Sequence, residues 1–319
     1  MKLTRIGSIA LAASALVVLS ACSGGSGGTG GDEKPMLGLV QFSGDDVYSN
    51  SAINGAAAYA ESQGWETQIV DAKGSVDGAN AAMVNLVTKG ADALFTTVFP
   101  NAALGEGIAA AQDAGIPIAN WGGGLGDGVP IAADTALGDA IATKVVDDMA
   151  GAGELLVLGY NPGLPCQLRE ASLDKALEGT TINPTRQQIT IPGQVQSVYD
   201  ATTAWAAAHP EGSASSLAVW SCFDDPATGA AAAVADLGRT DIKTYGLNGT
   251  AEAIKLVKEG TLTATLWING AAQGEELAKM IIQYLDDPAA FEPTEIGGEN
   301  IVVDSSNVDS FIADHPEFQ

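Results

Sequence analysis

The stretch MLGLVQFSGDDVYSNSAINGAAAYAESQGWETQIVDA, Met36 to Ala72, decides the fold. It opens with a short apolar run, MLGLVQF, continues into a helical segment, SAINGAAAYAESQG, and closes with a second run, ETQIVDA. The runs are too short and too evenly apolar for half-exposed strands, and they suit strands covered on both faces. The helical segment carries apolar residues three and four apart and stops at Gly64, as helix C-termini often do.

The unit repeats. ETQIVDA precedes GANAAMVNLVTKG, ending in Gly90, and DALFTTV precedes NAALGEGIAAAQDAG, ending in Gly115. IPIANW then runs into a glycine-rich loop. After a short strand at Val129 to Ala133 the alternation restarts, with GELLVLG, TRQQITI, SSLAVWS, DIKTYGL and TATLWIN as strands. Helical stretches begin near Leu164, Val195, Pro226 and Ala251, and a last helix, AAQGEELAKMIIQYL, is followed by a strand, ENIVVD. Repeated strand-helix units require a parallel sheet with helices on both faces. Nine or ten parallel strands with one restart predict an α/β protein of two similar lobes rather than a barrel, joined by strands that cross between them.

The N-terminus addresses the chain. Lys2 and Arg5 precede an apolar stretch from Ile6 to Leu19, the pattern of a secretory signal peptide. That stretch is shorter than the roughly 20 residues of a spanning helix. LSAC, Leu19 to Cys22, resembles the lipobox of bacterial lipoproteins, which implies cleavage after residue 21 and lipidation of Cys22. Several acyl chains, at about 0.8 kcal/mol per buried CH₂, hold a protein on a membrane. SGGSGGTGG, Ser23 to Gly31, reads as a flexible tether. An extracytoplasmic protein anchored to the cell membrane is expected.

Composition narrows the function. The 319 residues hold 14 Lys plus Arg against 39 Asp plus Glu, and removing residues 1–21 takes the net charge from −25 to −27. A nucleic-acid partner needs a basic face, so that class is set aside, and the acidity serves solubility. Besides the lipidated Cys22, two cysteines remain after processing, Cys166 and Cys222. In an oxidising compartment they are either a disulfide or two buried thiols.

In open α/β sheets ligands bind beyond the carboxyl ends of the strands. Trp121, Trp220 and Trp267 each lie at or one position short of such an end, whereas Trp65 and Trp205 fall where packing explains them. Asp45 and Asp46 follow the first strand, Asn120 closes the fourth, and Asp224, Asn248 and Asn269 stand at later ends. Carboxylates and amides pair with vicinal hydroxyls while flat rings cover the apolar face of a sugar or polyol. For Asp45, Asp46 and Asn248, capping of the next helix is an equal alternative.

Catalytic readings are weaker. Asp45 and Asp224 could be imagined facing each other as a glycosidase pair. The sequence holds no nucleophile elbow, P-loop or metal-spaced histidines: His209 ends a helix and His315 lies in the tail. GGGLGDG, Gly122 to Gly128, fails the dinucleotide spacing and is a loop. No metal, cofactor or enzymatic activity is expected.

The order of segments, with NGAAAYAESQGWETQIVDA, LVTKGADALF, AAAQDAGIPIANW and YGLNGTAEAIKLVKEGTLTATL, resembles the periplasmic sugar-binding proteins of the ribose and galactose type. These are the type I solute receptors of ABC importers. The likeness runs from Met36 to about Asp304 and implies two Rossmann-like lobes joined by three crossover segments. On this resemblance the crossings fall near 132–134, 268 and 297, the N-terminal lobe spans 36–132 with 269–296, and the C-terminal lobe spans 133–268 with 297–319. The family's pocket positions match Asp45, Tyr48 and Ser49 in the first loop, Arg169 in PCQLREASL, Phe223 and Asp224 together, and Asn248. The chain departs from family ribose binders at Gly122 and Gly123, where an aspartate and an arginine are usual, at Ile268, where a glutamine is usual, and at Phe223, where an asparagine is usual. These losses imply a different ligand, such as a linear polyol or a deoxy sugar, held by Arg169 and the acidic groups. On this fold Cys166 and Cys222 end neighbouring strands, so a disulfide would pin WSCFDDP to the loop bearing Arg169 and make that stretch pocket wall. The implied partners are the solute, an ABC permease and, through the lipid, the membrane, with a monomer as the working unit. A receptor for a membrane sensor is the second reading and a secreted glycosidase the third.

Overall fold

The computed structural model describes residues 34–126, 128–134 and 137–319. The signal peptide, Cys22 and the glycine-rich tether lie outside the described residues.

Strand and helix alternate from the first described residues. In order come β1 (Met36–Gln41), α1 (Val47–Ser62), β2 (Glu66–Asp71), α2 (Val76–Thr88), β3 (Ala93–Thr97), α3 (Gly105–Asp113), β4 (Ile118–Trp121) and β5 (Ile131–Ala133). The series restarts with α4 (Asp139–Asp148), β6 (Ala152–Gly159), α5 (Leu164–Leu177), β7 (Thr181–Gln188), α6 (Gln194–Ala208), β8 (Leu217–Ser221), α7 (Asp224–Asp236), β9 (Ile242–Asn248), α8 (Ala251–Glu259) and β10 (Ala264–Ile268). It closes with α9 (Gly270–Asp286), β11 (Thr294–Ile296), β12 (Asn300–Asp304) and α10 (Val308–Asp314).

Two six-stranded sheets result, ordered β2-β1-β3-β4-β5-β11 and β7-β6-β8-β9-β10-β12. The two orders are the same walk made twice, which is the two-lobed α/β architecture expected from the restart. The chain passes from the first sheet to the second between β5 and β6, returns through α9 to β11, and crosses again into β12. β3, β8 and β10 are buried at every residue, as strands with helices on both faces must be.

Local signals explain the helix ends. Gly64, Gly90 and Gly115 follow α1, α2 and α3 with φ of 84°, 87° and 71°, the left-handed region that a Cβ disfavours. Gly274 of α9 lies so close to α1 that a Cβ there would stand 2.0 Å from the Ala52 carbonyl oxygen, and one on Gly55 would stand 2.2 Å from that of Ala271. These paired glycines let α9 lie on α1 and fix the returning helix to the first lobe.

Three features differ from the sequence reading. β12 runs antiparallel to β10, because only a short connection separates it from β11 and it enters the second sheet from the far edge. β11 is only three residues long and carries no apolar run. α10 is seven residues long, too short for its periodicity to stand out, and it packs Phe311 5.4 Å from the Trp267 ring.

Candidate functional site

Beyond the carboxyl ends of both sheets lies a cavity with about 380 Å³ of empty space, mouth included. The first lobe lines it with Phe42, Asp46, Tyr48, Val98 and Trp121, and the second with Tyr160, Cys166, Arg169, Ile191, Phe223 and Asn248. Phe42, Val98 and Tyr160 each stand one residue past the end of a strand, while Trp121 and Asn248 are the last residues of theirs. The lobes touch over this cavity. The Tyr160 hydroxyl donates to the Gly74 carbonyl at 3.1 Å, and the Leu164 amide donates to the Val98 carbonyl at 3.2 Å.

Of the polar positions expected at the strand ends, Asp46 and Asn248 line the cavity, joined by Tyr48 and Arg169, which the family resemblance implied. Asp46 opens α1; burial pushes its carboxyl above the ordinary range, against hydrogen bonding at Ser49 and the nearby Arg169 charge. Burial likewise raises the Tyr48 phenol, whose ring meets Trp121 edge-on at 4.9 Å. Arg169 is 2 % exposed and donates from Nη1 to the Cys222 carbonyl at 2.8 Å. Burial lowers its pKa, while Tyr48, Asp224, Asp46 and Asp134 hold the charge in place. Among the described residues Tyr48 Oη and Asn248 Oδ1 are buried with no hydrogen-bond partner. Such groups cost about 1–3 kcal/mol each unless something fills them.

Backbone strain gathers at the same place. Val98 has φ of 69° and Asn248 φ of 121°, values that side chains with a Cβ rarely adopt. Conformations of this kind persist only where the surrounding structure holds them, and they cluster at binding and catalytic sites.

Cys166 and Cys222 form a disulfide with Cα atoms 5.2 Å apart. It joins the start of α5, which carries Arg169, to the segment after β8. Cys166 and Phe223 line the cavity, so of WSCFDDP only Phe223 reaches it, while Cys222 ties the stretch to α5 from behind.

The other candidates stand elsewhere. Asp45 is exposed, its amide bonded to the Ser43 hydroxyl at 3.3 Å. Ser49 is fully buried within α1. Asn120 ties the loop after β4, donating to Asn101 Oδ1 at 2.7 Å and accepting from the Gly123 amide at 2.9 Å. That arrangement leaves no room at Gly123, where a Cβ would stand 2.1 Å from Asn120 Nδ2. Trp220 is 0 % exposed inside β8, a core ring. Asp224 is buried behind the cavity, accepting from Thr265 Oγ1 and the Thr250 amide, each at 2.7 Å. Its burial pushes it up to about 6. With Asp45 in solvent and Asp224 held by two threonines, the imagined glycosidase pair does not face across the cleft. Trp267 packs on His315 and Phe311, with ring centres 4.5 and 5.4 Å away, and Asn269 caps α9 by accepting from the Ala272 amide at 3.1 Å.

Strand-end reading overlooked Phe42, Val98, Tyr160 and Ile191 because they are apolar or lie just past the strands. Taking the first residue after each predicted run would have found the first three. Asp225, also overlooked, is pushed up to about 7 by burial and by the neighbouring Asp46 and Asp224, with the Val47 amide and Gln194 pulling the other way.

Comparison with known proteins agrees with this architecture. The family model described as "Periplasmic binding protein domain" matches residues 38–289. The ribose import binding protein RbsB of Bacillus subtilis (strain 168) is 24 % identical over 284 residues, covering 85 % of this chain and 89 % of its own. A crystal structure of an ABC transporter solute binding protein from Agrobacterium vitis with bound allitol superposes with a TM-score of 0.79 at 25 % identity, covering 88 % of this chain and 99 % of that one. The arabinose-transporter binding protein of Shewanella sp. ANA-3 shares the fold, with a TM-score of 0.77 at 18 % identity, covering 88 % of this chain and 96 % of its own. The chain belongs to the periplasmic binding protein domain family, whose members are binding proteins and not enzymes.

Proposed function

We propose that the protein is an extracytoplasmic lipoprotein that captures a sugar or polyol between its lobes and delivers it to an ABC importer. One observation carries the reading: a cavity at the carboxyl ends of both sheets combines an aromatic lining with Asp46, Arg169 and the unpartnered oxygens of Tyr48 and Asn248. Relatives named for ribose import and a neighbour holding allitol support that solute class. The lobes, 36–132 with 269–296 and 133–268 with 297–319, open and close about the three crossings. A solute touching both favours the closed form by its differential affinity. The lipid on Cys22, supported by the LSAC sequence, holds a monomer at the membrane beside its permease. Asp46, Tyr48, Trp121, Arg169, Phe223 and Asn248 are the ligand contacts. No chemical step is performed on the solute.

A thermal-shift screen tests the class. Ligands that bind only the folded state raise the melting temperature by mass action. Pentoses, hexoses, deoxy sugars, linear polyols, nucleosides and amino acids are compared at equal concentration. A large shift confined to sugars or polyols is expected, and shifts only with nucleosides or amino acids would overturn the reading.

A further inference from the structure

The cavity has two unlike ends. At one, Tyr48 and Trp121 meet edge-on at 4.9 Å, and Tyr48 also lines the neighbouring groove beside Asn248 and Asn269 at the crossing into α9. Asp46, Arg169 and the unpartnered Asn248 Oδ1 and Tyr48 Oη belong to this end. At the other, Phe42 lies 5.9 Å from the Tyr160 ring, and a Cβ on Gly163 would meet Tyr160 at 3.1 Å and Val98 at 3.2 Å. Ile191 joins them through Gly74, where a Cβ would stand 3.0 Å from the Ile191 side chain. The polar atoms of this second end are already engaged. The Tyr160 hydroxyl bonds to the Gly74 carbonyl, the Val98 carbonyl accepts from Leu164, and the Phe42 carbonyl accepts from the Gly74 amide at 2.8 Å.

We infer that the site takes an end-differentiated solute: its hydroxyl-bearing end faces Asp46, Tyr48, Arg169 and Asn248, and a deoxygenated terminal carbon lodges among Phe42, Val98, Tyr160 and Ile191. The inference rests on the solute-capture reading above and names the class within it, a terminally deoxygenated sugar or polyol. A hydroxyl pushed into the second end loses its water and meets only groups that are already engaged: the Tyr160 hydroxyl has given its proton to Gly74, and the Val98 and Phe42 carbonyls each accept one hydrogen bond, so its own losses are poorly made good. A methyl group there gains apolar contact at no such cost. A hydrophobic pocket discriminates against an added hydroxyl by at most about a hundredfold, which bounds the effect.

Calorimetric titration of the full-length protein with matched pairs tests it: D-ribose against 5-deoxy-D-ribose, D-galactose against D-fucose, and galactitol against L-fucitol. In the pair whose stereochemistry fits, the deoxy member is expected to bind about ten- to a hundredfold tighter. The variant Ile191→Thr, which places a hydroxyl at the apolar end, is expected to narrow that ratio, whereas Asn248→Leu weakens both members alike. If the hydroxylated member binds as tightly or tighter in every pair that binds, or if Ile191→Thr leaves the ratio unchanged, the inference is overturned and solute capture stands. If none of these binds, the strongest sugar or polyol of the thermal-shift screen is compared with its own terminally deoxygenated form under the same criteria; if no sugar or polyol binds at all, the solute-capture reading fails, and this inference with it.

Discussion

Replacing Asp225 by Asn should stabilise the protein at alkaline pH and flatten its stability profile. Burial, and after it the charges of Asp46 from the other lobe and Asp224 from its own, push Asp225 up to about 7 from an ordinary 3.8, against hydrogen bonds from the Val47 amide and Gln194. A carboxyl whose folded pKa is raised adds stability that is fully present below its unfolded value and is lost as pH rises through the folded one. The window for Asp225 therefore runs from 3.8 to about 7. Across the whole window the loss amounts to at most about 4 kcal/mol, and between pH 5 and pH 8 the wild-type protein should lose about 2–3 kcal/mol from this carboxyl. The three neighbouring carboxyls titrate as a group, so the loss spreads over that range instead of forming one step. Asn keeps the shape and removes the charge. Urea denaturation at several pH values measures the difference: the variant should be the more stable at pH 8 and should lose markedly less stability than wild type between pH 5 and pH 8. Parallel profiles for the two proteins would refute the account of this cluster.

Other substitutions separate binding from framework. Arg169→Met leaves Asp46 and Asp224 without their buried counter-charge, and should cost about 3 kcal/mol or more in denaturation as well as at least about tenfold in solute affinity. Replacing both Cys166 and Cys222 by Ser opens a loop of 56 residues, worth about 4 kcal/mol in the chain-entropy model, and should weaken the solute complex because the Cys222 carbonyl orients Arg169. Tyr160→Phe removes one bond between the lobes; about three- to tenfold weaker binding, expressed mainly as faster release in stopped-flow measurements, is expected, with unfolding little changed.

Much of this was readable in the chain because α/β architecture writes itself locally. Runs such as DALFTTV must stay free of charge from Ala93 onward when helices cover both faces, and Gly64, Gly90 and Gly115 mark helix ends through a backbone conformation that other residues resist. β11 escaped because an edge strand of three residues needs no apolar signature, and the direction of β12 depends on a connection rather than on its own residues. At the site the limit was finer. Position at a strand end brings a residue to the cleft, but a turn of one residue decides whether its side chain points into it. Trp121 closes β4 and faces the cavity, whereas Trp220, one residue short of the end of β8, points into the core, and Trp267 is claimed by α10. Asp224 shows a second limit. Its partners, Thr250 and Thr265, come from distant parts of the chain, so its retreat behind the cavity wall could not be read from its neighbours in sequence.

The central claim is capture of a solute between the two lobes, and a crystal structure of the protein with the strongest ligand from the thermal-shift screen tests it most directly. The account predicts density for one solute molecule enclosed beyond the carboxyl ends of both sheets, with hydroxyls on Asp46, Arg169 and Asn248 and its carbon face against Trp121 and Phe223. A solute bound instead in the groove beside Trp267 and Phe318, or touching one lobe alone, would contradict it.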